Sequence, residues 1–175
     1  MSRKRFHAME CSIARALDVV GDWWTLLIIR EAFLGVRRFA DFRDHLGIAR
    51  NILTDRLAKL VDDGILEKRP KETAERGFEY RLSEKGRDLW GVLTALRLWG
   101  DRWVYGKGRE PLLVRERGGG RMLAQLVPAD AAGKPLDRAR LVALPGPGTP
   151  PEIARRYARK TDATRRLTRA TTPPG

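Results

Sequence analysis

Apolar residues recur at helical spacing in two stretches near the start of the chain. Residues 11–20 carry the first pattern, and Gly21 ends it. Asp22 has the side chain of an N-cap for a second helix, WWTLLIIREAFL, which stops at Gly35. So many residues of this second helix are apolar that we expect most of it to be buried.

Two further amphipathic patterns lie on either side of a glycine. Phe39, Phe42 and Leu46 predict a third helix that ends near Gly47, which suits a left-handed C-cap. A fourth helix follows, and Gly64 closes it. Its apolar stripe consists of Leu53, Leu57 and Leu60, supported by Ile52 and Val61. Two short helices joined by a tight turn are typical of a helix-turn-helix.

Two short stretches with strand character follow the fourth helix. Ile65–Arg69 and Phe78–Leu82 predict strands, because polar and apolar residues alternate in the second of them. The charged loop between them, PKETAERG, contains Lys71 and Arg76 and predicts a wing. The order of elements therefore predicts a mainly α fold with a small antiparallel β wing, a winged helix-turn-helix.

A long apolar seam follows Ser83, the predicted N-cap of a last helix. The seam is made of Leu89, Trp90, Leu93, Leu96, Trp99 and Trp103. A small domain already closed by four helices and a hairpin has limited room for so many large side chains. We therefore expect part of the seam to pack against a second copy of the chain, which would make a homodimer.

The composition changes after this helix, where glycines and a proline mark a boundary. We assign residues 1–105 to the winged-helix domain and residues 106–150 to a small β appendage. Its expected strands are Leu112–Arg117 and Ala139–Leu144. Residues 151–175 form a basic tail, which we expect to be disordered.

Charge adds a candidate partner to this picture. The 175 residues carry 35 Lys and Arg against 22 Asp and Glu, and the net charge of +13 favours a polyanion such as nucleic acid. Residues 106–175 hold 15 basic and 6 acidic side chains, so most of the excess positive charge lies there.

One cysteine excludes an intrachain disulfide. No signal region and no apolar run near the roughly 20 residues that span a bilayer are present, which predicts a cytoplasmic chain without membrane contact.

The polar face of the fourth helix has the chemistry of base recognition. In a helix-turn-helix the N-terminal turn of the second helix meets base edges. Arg50 can pair with guanine, Asn51 with adenine, and Thr54 can touch a thymine methyl or a phosphate. The cations predicted to contact the DNA backbone are Arg37, Arg38, Arg56 and Lys59, with Lys71 and Arg76 on the wing.

The alternative is that these residues are only the solvated face of an amphipathic helix. Asp55 favours this alternative, because a carboxylate that faces DNA must be offset. Arg56, Lys59 or a cytosine amino group would provide that offset. Helix lengths, glycine stops and the hairpin agree with the helix-turn-helix as a whole.

Cys11 opens the first predicted helix, where free N–H groups and the helix dipole favour a thiolate. Two interpretations stay open: a redox or electrophile sensor, and a small residue at a dimer contact.

His7 and His45 have no partners at metal-ligand spacing. No nucleophile and base stand together, so we expect no metal, no cofactor and no catalysis.

Several motifs together resemble the HxlR-type branch of the MarR-like winged-helix regulators. They are the cysteine that opens a helix, GDWWTLLIIRE, the RRF after Gly35, LTDRLAKL and YRLSEKG, within residues 11–103. The resemblance implies a homodimer, joined by its first and last helices, that binds inverted-repeat operator DNA. It places Arg50, Asn51 and Thr54 on the recognition helix, Arg38 on the helix before it and Arg76 in the wing. It also implies that the cysteine matching Cys11 senses oxidants or aldehydes in some members.

The chain departs from the family pattern in two places. Trp23 stands where the family usually has a small or basic residue, and its ring would line a ligand cleft or widen the dimer contact. The extension resembles a zinc ribbon, yet Pro128 and Ala132 replace the expected cysteines. We therefore predict an appendage without zinc, held together by the packing of Leu112, Leu126, Leu136 and Leu144.

The sequence is compatible with two functions of different classes. The first is a dimeric, sequence-specific DNA-binding transcriptional regulator, more specifically a repressor, that responds to an oxidant or a small molecule. The second is a winged-helix module that binds another protein through its tryptophan-rich seam. Cations on the recognition helix and the wing favour DNA, because a protein-binding wing does not need them on that face.

Overall fold

The computed structural model describes residues 6, 9–71, 77–118 and 120–155. The helices are α1 (Ser12–Val20), α2 (Trp23–Phe33), α3 (Phe39–Leu46), α4 (Arg50–Asp62), α5 (Glu84–Arg87) and α6 (Trp90–Gly100). The strands are β1 (Leu66–Pro70) and β2 (Phe78–Leu82). A π-helical turn, Asp101–Tyr105, follows α6, and a 3₁₀ turn forms at Arg138–Arg140. The mainly α fold with an antiparallel β hairpin, predicted from the sequence, is confirmed.

Local signals in the sequence explain where α2, α3 and α4 begin and end. Asp22 caps α2 as predicted, because its carboxylate accepts a hydrogen bond of 3.3 Å from the backbone N–H of Thr25. Gly47 ends α3 in the left-handed region, with φ 60° and ψ 25°, which other residues enter at a cost. The turn between α3 and α4 is therefore short and fixed.

One core joins α2, α3, α4 and the hairpin. Its fully buried large side chains are Phe42, Ile28, Ile29, Leu53, Leu57, Leu60, Ile65 and Leu66. The stripe predicted for α4 supplies three of them, so α4 is fixed by its apolar side against the core. Its polar side is thereby turned to solvent.

The hairpin pairs β1 with β2 in the register Leu66 to Leu82 and Lys68 to Tyr80. Tyr80 also receives support from the other side, because its N–H donates to the carbonyl of Arg37 at 2.8 Å. The ring of Tyr80 meets Phe42 of α3 edge to face, with centroids 6.4 Å apart. The face of the hairpin that bears Tyr80 therefore packs on the helix-turn-helix.

The single long helix predicted from Ser83 to Trp103 is wrong. Ser83 does cap a helix, but α5 has only four residues, and the chain then tightens because the N–H of Leu89 bonds to the carbonyl of Gly86 at 3.2 Å. A second change comes after Gly100, where the helix widens into the π-helical turn. The apolar seam is thus divided among three segments.

The described residues divide into two compact units. One unit contains Phe6 and residues 12–126, and the other contains residues 9–11 and 127–155. The strands predicted at 112–117 and 139–144 are absent from the described residues. Isolated bridges link Arg115 to Met122 and Ala129 to Pro135, and 138–140 is a 3₁₀ turn.

The prediction that four leucines hold the appendage together is also wrong. Leu112, Leu126, Leu136 and Leu144 are all exposed. Within residues 127–155 the turn at 130–134 is organised by a carboxylate instead, because Oδ1 of Asp130 accepts hydrogen bonds of 2.9 Å from the N–H groups of Ala132 and Lys134. Polar turn chemistry therefore replaces the expected apolar contacts. The tail beyond residue 155 lies outside the described residues.

Candidate nucleic-acid interface

One exposed face of α4 carries the residues predicted to meet bases. Its exposed members are Arg50, Asn51, Thr54, Asp55 and Ala58, spaced three or four residues apart along the helix. The opposite face is buried in the core at Leu53, Leu57 and Leu60. Because the core fixes this helix along its whole length, the exposed side chains are presented from a rigid support.

The N-terminus of α4 lies at the same face and has no side-chain cap. Ala49 occupies the N-cap position with φ −61° and ψ 140°, and its methyl group offers no hydrogen-bond acceptor. The first backbone N–H groups of a helix have no partner within the helix itself. Here a polar N-cap such as serine or aspartate would satisfy one of them, and the chain does not provide it.

Thr54 has a more limited role than its chemistry suggests. Its Oγ1 donates a hydrogen bond of 2.9 Å to the carbonyl of Arg50, one turn earlier. The hydroxyl proton is therefore used within the helix. What Thr54 presents outward is a methyl group and the lone pairs of its oxygen.

Arg56, which the sequence predicts to contact a DNA phosphate, forms an ion pair within the protein. Its Nε and Nη2 donate to the two carboxylate oxygens of Asp22 at 3.0 and 3.1 Å. This is the two-bond geometry in which arginine holds a carboxylate most firmly. Arg56 therefore joins α4 to the N-terminus of α2.

The remaining predicted cations differ in their surroundings. Lys59 forms an ion pair with Asp63 on the same helix. Arg38 is exposed at the residue before α3, and Lys71 is half-buried where β1 ends. Arg76 lies outside the described residues.

The structure also shows a charge cluster around a buried glutamate, which the sequence did not reveal. Glu31 of α2 is buried, and its carboxylate binds Nδ1 of His45 at 2.9 Å and Nη2 of Arg30 at 2.6 Å. Burial raises the pKa of Glu31, but the hydrogen bonds from His45 and Arg30 outweigh it and leave this pKa below its ordinary value. His45 has no partner at metal-ligand spacing in the sequence, but in the fold it connects α3 to Glu31 of α2.

Arg37 was expected at the DNA backbone, but the structure directs it inward. Its Nη1 donates to the carbonyls of Ala32 at 2.6 Å and Val36 at 3.0 Å, so it satisfies backbone groups near the end of α2. The same side chain lines a cavity between α2, the hairpin and α5. The motif RRF therefore places its two arginines in different surroundings.

Cys11 is exposed and precedes α1, which begins at Ser12 rather than at the cysteine. Trp23 is also exposed and does not belong to the described lining of the cavity.

Within the described ranges, His, Cys, Asp and Glu form no group of three that could hold a metal. No helix in those ranges is both long and apolar enough to cross a membrane.

Known proteins are similar to this chain in sequence and in fold. Residues 19–107 match the HxlR-like helix-turn-helix family. An uncharacterized HTH-type transcriptional regulator of Mycobacterium tuberculosis is 37% identical over 143 residues, which cover 82% of this chain and 90% of the relative. A Mycobacterium bovis regulator with the same description matches to the same extent.

Solved structures agree. The proposed transcription factor PA1607 is 37% identical and superimposes with a TM-score of 0.70, over 78% of this chain and 96% of that one. PA1374 of Pseudomonas aeruginosa, also described as a proposed transcription factor, is 37% identical with a TM-score of 0.59, over 83% and 99%. Together with the exposed face of α4, these similarities show that the chain belongs to the HxlR-like helix-turn-helix family of DNA-binding transcriptional regulators.

Proposed function

We propose that the protein is a homodimeric repressor that binds inverted-repeat operator DNA, with α4 of each subunit in a major groove. The observation that carries this proposal is the position of Arg50, Asn51 and Thr54 on the exposed face of a core-anchored helix. Arg50 would pair with guanine and Asn51 with adenine. Repression is the direction of regulation that we propose for its target genes.

The uncapped N-terminus of α4 supports the same placement. Free N–H groups and the positive end of the helix dipole form a site that favours phosphate. Ala49 leaves that site open, whereas a capping carboxylate would fill it and repel DNA. The first turn of α4 therefore suits a DNA phosphate beside the bases that Arg50 and Asn51 would contact.

The cations divide into two groups on the basis of their contacts. Arg38, Lys59 and Lys71 remain proposed phosphate contacts, as does Arg76, which lies outside the described residues. Lys59 would have to exchange its partner Asp63 for phosphate, and a new charged partner would offset the loss of this partly exposed ion pair. Arg56 is reassigned to a supporting role, because its guanidinium already holds Asp22 in two hydrogen bonds.

Exposed apolar side chains on α1 and α6 support the homodimer. On α1 these are Ile13 and Leu17, and on α6 they are Trp90, Val92, Leu96 and Trp99. So much exposed apolar surface is unusual for a monomer.

The dimer can be tested by molar mass in solution. A charge at Leu96 would be buried in the proposed contact, so Leu96→Glu should shift the population to monomer in sedimentation equilibrium. Leu34→Glu is the matched control, since Leu34 is exposed at the end of α2 and outside α1 and α6. A monomeric wild type, or equal effects of both variants, would contradict the proposed contact.

We retain effector sensing through Cys11 as a part of the proposal. The thiol is exposed and therefore accessible to diamide or to an aldehyde. If Cys11 is the sensor, Cys11→Ser should keep DNA binding and lose its response to these reagents. An unchanged response would remove Cys11 from the mechanism.

A footprint on DNA from upstream of the protein's own gene tests the operator geometry. Two-fold symmetry predicts two protected half-sites about 34 Å apart, or about one turn of B-DNA, with related sequences in inverted orientation. A reporter fused to that DNA should rise when the gene for the protein is deleted. A single protected half-site would contradict the dimer, and a falling reporter would contradict repression.

A further inference from the structure

A cavity of about 370 Å³ opens beside the hairpin. Four arginines line it: Arg37, Arg69, Arg81 and Arg87. Its apolar wall consists of Ala32, Phe33 and Leu82. Among the described residues, α3 and α4 contribute nothing to the lining, so this site is separate from the recognition helix.

The arginines leave the cavity with a positive surplus. Glu67 accepts from Arg69, and Glu79 accepts from Arg81 at 3.2 Å. The other two arginines are held by carbonyl oxygens: Arg37 by those of Ala32 and Val36, and Arg87 by that of Leu82 at 2.9 Å. In the described part of the chain neither Arg37 nor Arg87 forms an ion pair with a carboxylate. Two of the four positive charges are therefore not offset by a neighbouring acid.

The strand register places two of these arginines, Arg69 and Arg81, on the face of the hairpin opposite to the one that packs on the core. Arg69 pairs with Glu79 and Arg81 pairs with Glu67, so all four lie on one face of the hairpin. Tyr80 and Leu66 lie on the opposite face, which packs against the core that contains α3 and α4.

We propose that this cavity binds a small organic carboxylate. Guanidinium groups match a carboxylate in geometry and charge, and bonds between them are among the strongest hydrogen bonds in proteins. The wall of Ala32, Phe33 and Leu82 would cover the hydrocarbon part of such a ligand, as apolar walls do in small-molecule sites. The cavity volume lies at the lower end of the roughly 300–1,000 Å³ usual for these sites, which suits a ligand of about ten heavy atoms.

The site goes beyond the proposed function and is testable on the free protein without DNA. We would titrate the full-length chain with benzoate, with its neutral analogue benzamide and with inorganic phosphate, at constant ionic strength, and follow backbone amide resonances. Benzoate should cause saturable shifts at Phe33 and Leu82, and benzamide should not. Arg69→Gln and Arg87→Gln should each weaken benzoate binding by about tenfold, the loss expected for one charge-assisted bond.

Arg43→Gln is the matched control for Arg69→Gln. Both arginines are exposed and paired with a neighbouring carboxylate, but Arg43 lies on α3 outside the cavity. The Arg43→Gln variant should bind benzoate with the affinity of the wild type. No saturable shift, equal effects of all three variants, or binding of phosphate alone would overturn the proposal. So would a result in which the cavity variants lose DNA binding while benzoate affinity is unchanged, because the arginines would then serve DNA.

Discussion

Arg56 of α4 donates two hydrogen bonds to the carboxylate of Asp22, the residue that caps the N-terminus of α2. The pair is partly shielded, with 31% of the Arg56 side chain and 19% of the Asp22 side chain exposed. One carboxylate therefore caps the start of α2 and also binds the recognition helix α4. The apolar stripe of α4 sets the orientation of this helix, and the contact with Asp22 adds to the stability of the fold.

The coupling of Asp22 and Arg56 predicts a measurable interaction energy. Arg56→Ala should lower the free energy of unfolding by about 1–2 kcal/mol, with little loss of DNA affinity per folded molecule. Asp22→Ser keeps a capping oxygen but removes the carboxylate, so it separates the ion pair from the cap. In a double-mutant cycle by urea unfolding, the two changes should be non-additive by about 0.5 kcal/mol or more. Strict additivity would show that the contact contributes nothing.

Gly86 shows a second constraint, the close approach of α5 to the loop before β1. A Cβ atom at Gly86 would lie 2.2 Å from the carbonyl oxygen of Ile65, which is backbone and cannot turn aside. Gly86→Ala should therefore destabilise the fold by about 1–3 kcal/mol, as overpacking does. Gly91→Ala is the control, because nothing lies within 4 Å of its added methyl. We expect it to stabilise α6 by up to about 1 kcal/mol in the same thermal unfolding measurement.

The open N-terminus of α4 predicts opposite effects on stability and on binding. Ala49→Asp should stabilise the fold by about 0.5–2 kcal/mol, since Ala49 already has the extended backbone of an N-cap. The same carboxylate should weaken DNA binding, because it would occupy the N–H groups offered to phosphate and repel the duplex. Ala49→Gly, which adds neither a charge nor a side-chain acceptor, serves as the control. If Ala49→Asp bound DNA as tightly as the wild type, the phosphate contact would be refuted.

The pKa of Glu31 predicts how stability depends on acid. Because the folded-state pKa is lowered, the contribution of Glu31 is complete above its ordinary pKa of 4.5 and is lost as pH falls through the lower folded value. Glu31→Gln should therefore cost about 1–3 kcal/mol at pH 6, and the difference from wild type should narrow below pH 4.5. Urea unfolding at several pH values measures this. Glu67→Gln, at an exposed ion pair, should cost less than about 1 kcal/mol. Equal pH profiles for both variants would contradict the stabilising role of the buried Glu31.

Local signals predicted much of the fold because they act within a few residues. The Asp22 cap, the left-handed Gly47 and the stripe of α4 are each visible in a short window of sequence, and each is confirmed. The boundaries of the last helix were wrong because periodicity does not register a change from α-helical to tighter or wider turns. Within residues 83–103 the apolar spacing predicts helical structure, but it does not predict the division into α5, α6 and the π-helical turn.

The contacts that joined distant residues were not predicted. Asp22 and Arg56 are 34 positions apart, and Glu31 and His45 are 14 apart, so no periodic pattern relates them. The glutamate did offer one signal, since it stands within the strongly apolar run of α2, where a charge needs a partner. The arginines of the cavity come from four different parts of the chain, and only the folded hairpin brings them together.

The affinity of wild type and of Arg50→Ala/Asn51→Ala for DNA from upstream of the protein's own gene, measured by fluorescence anisotropy, tests the central assignment most directly. Arg140→Ala also removes one exposed cation, but on the C-terminal unit, and is the matched control. We predict that the double variant loses at least about 30-fold in affinity while the control loses less than about threefold. Equal affinities of the double variant and the wild type, or no binding by wild type at low salt, would contradict the placement of α4 in the major groove.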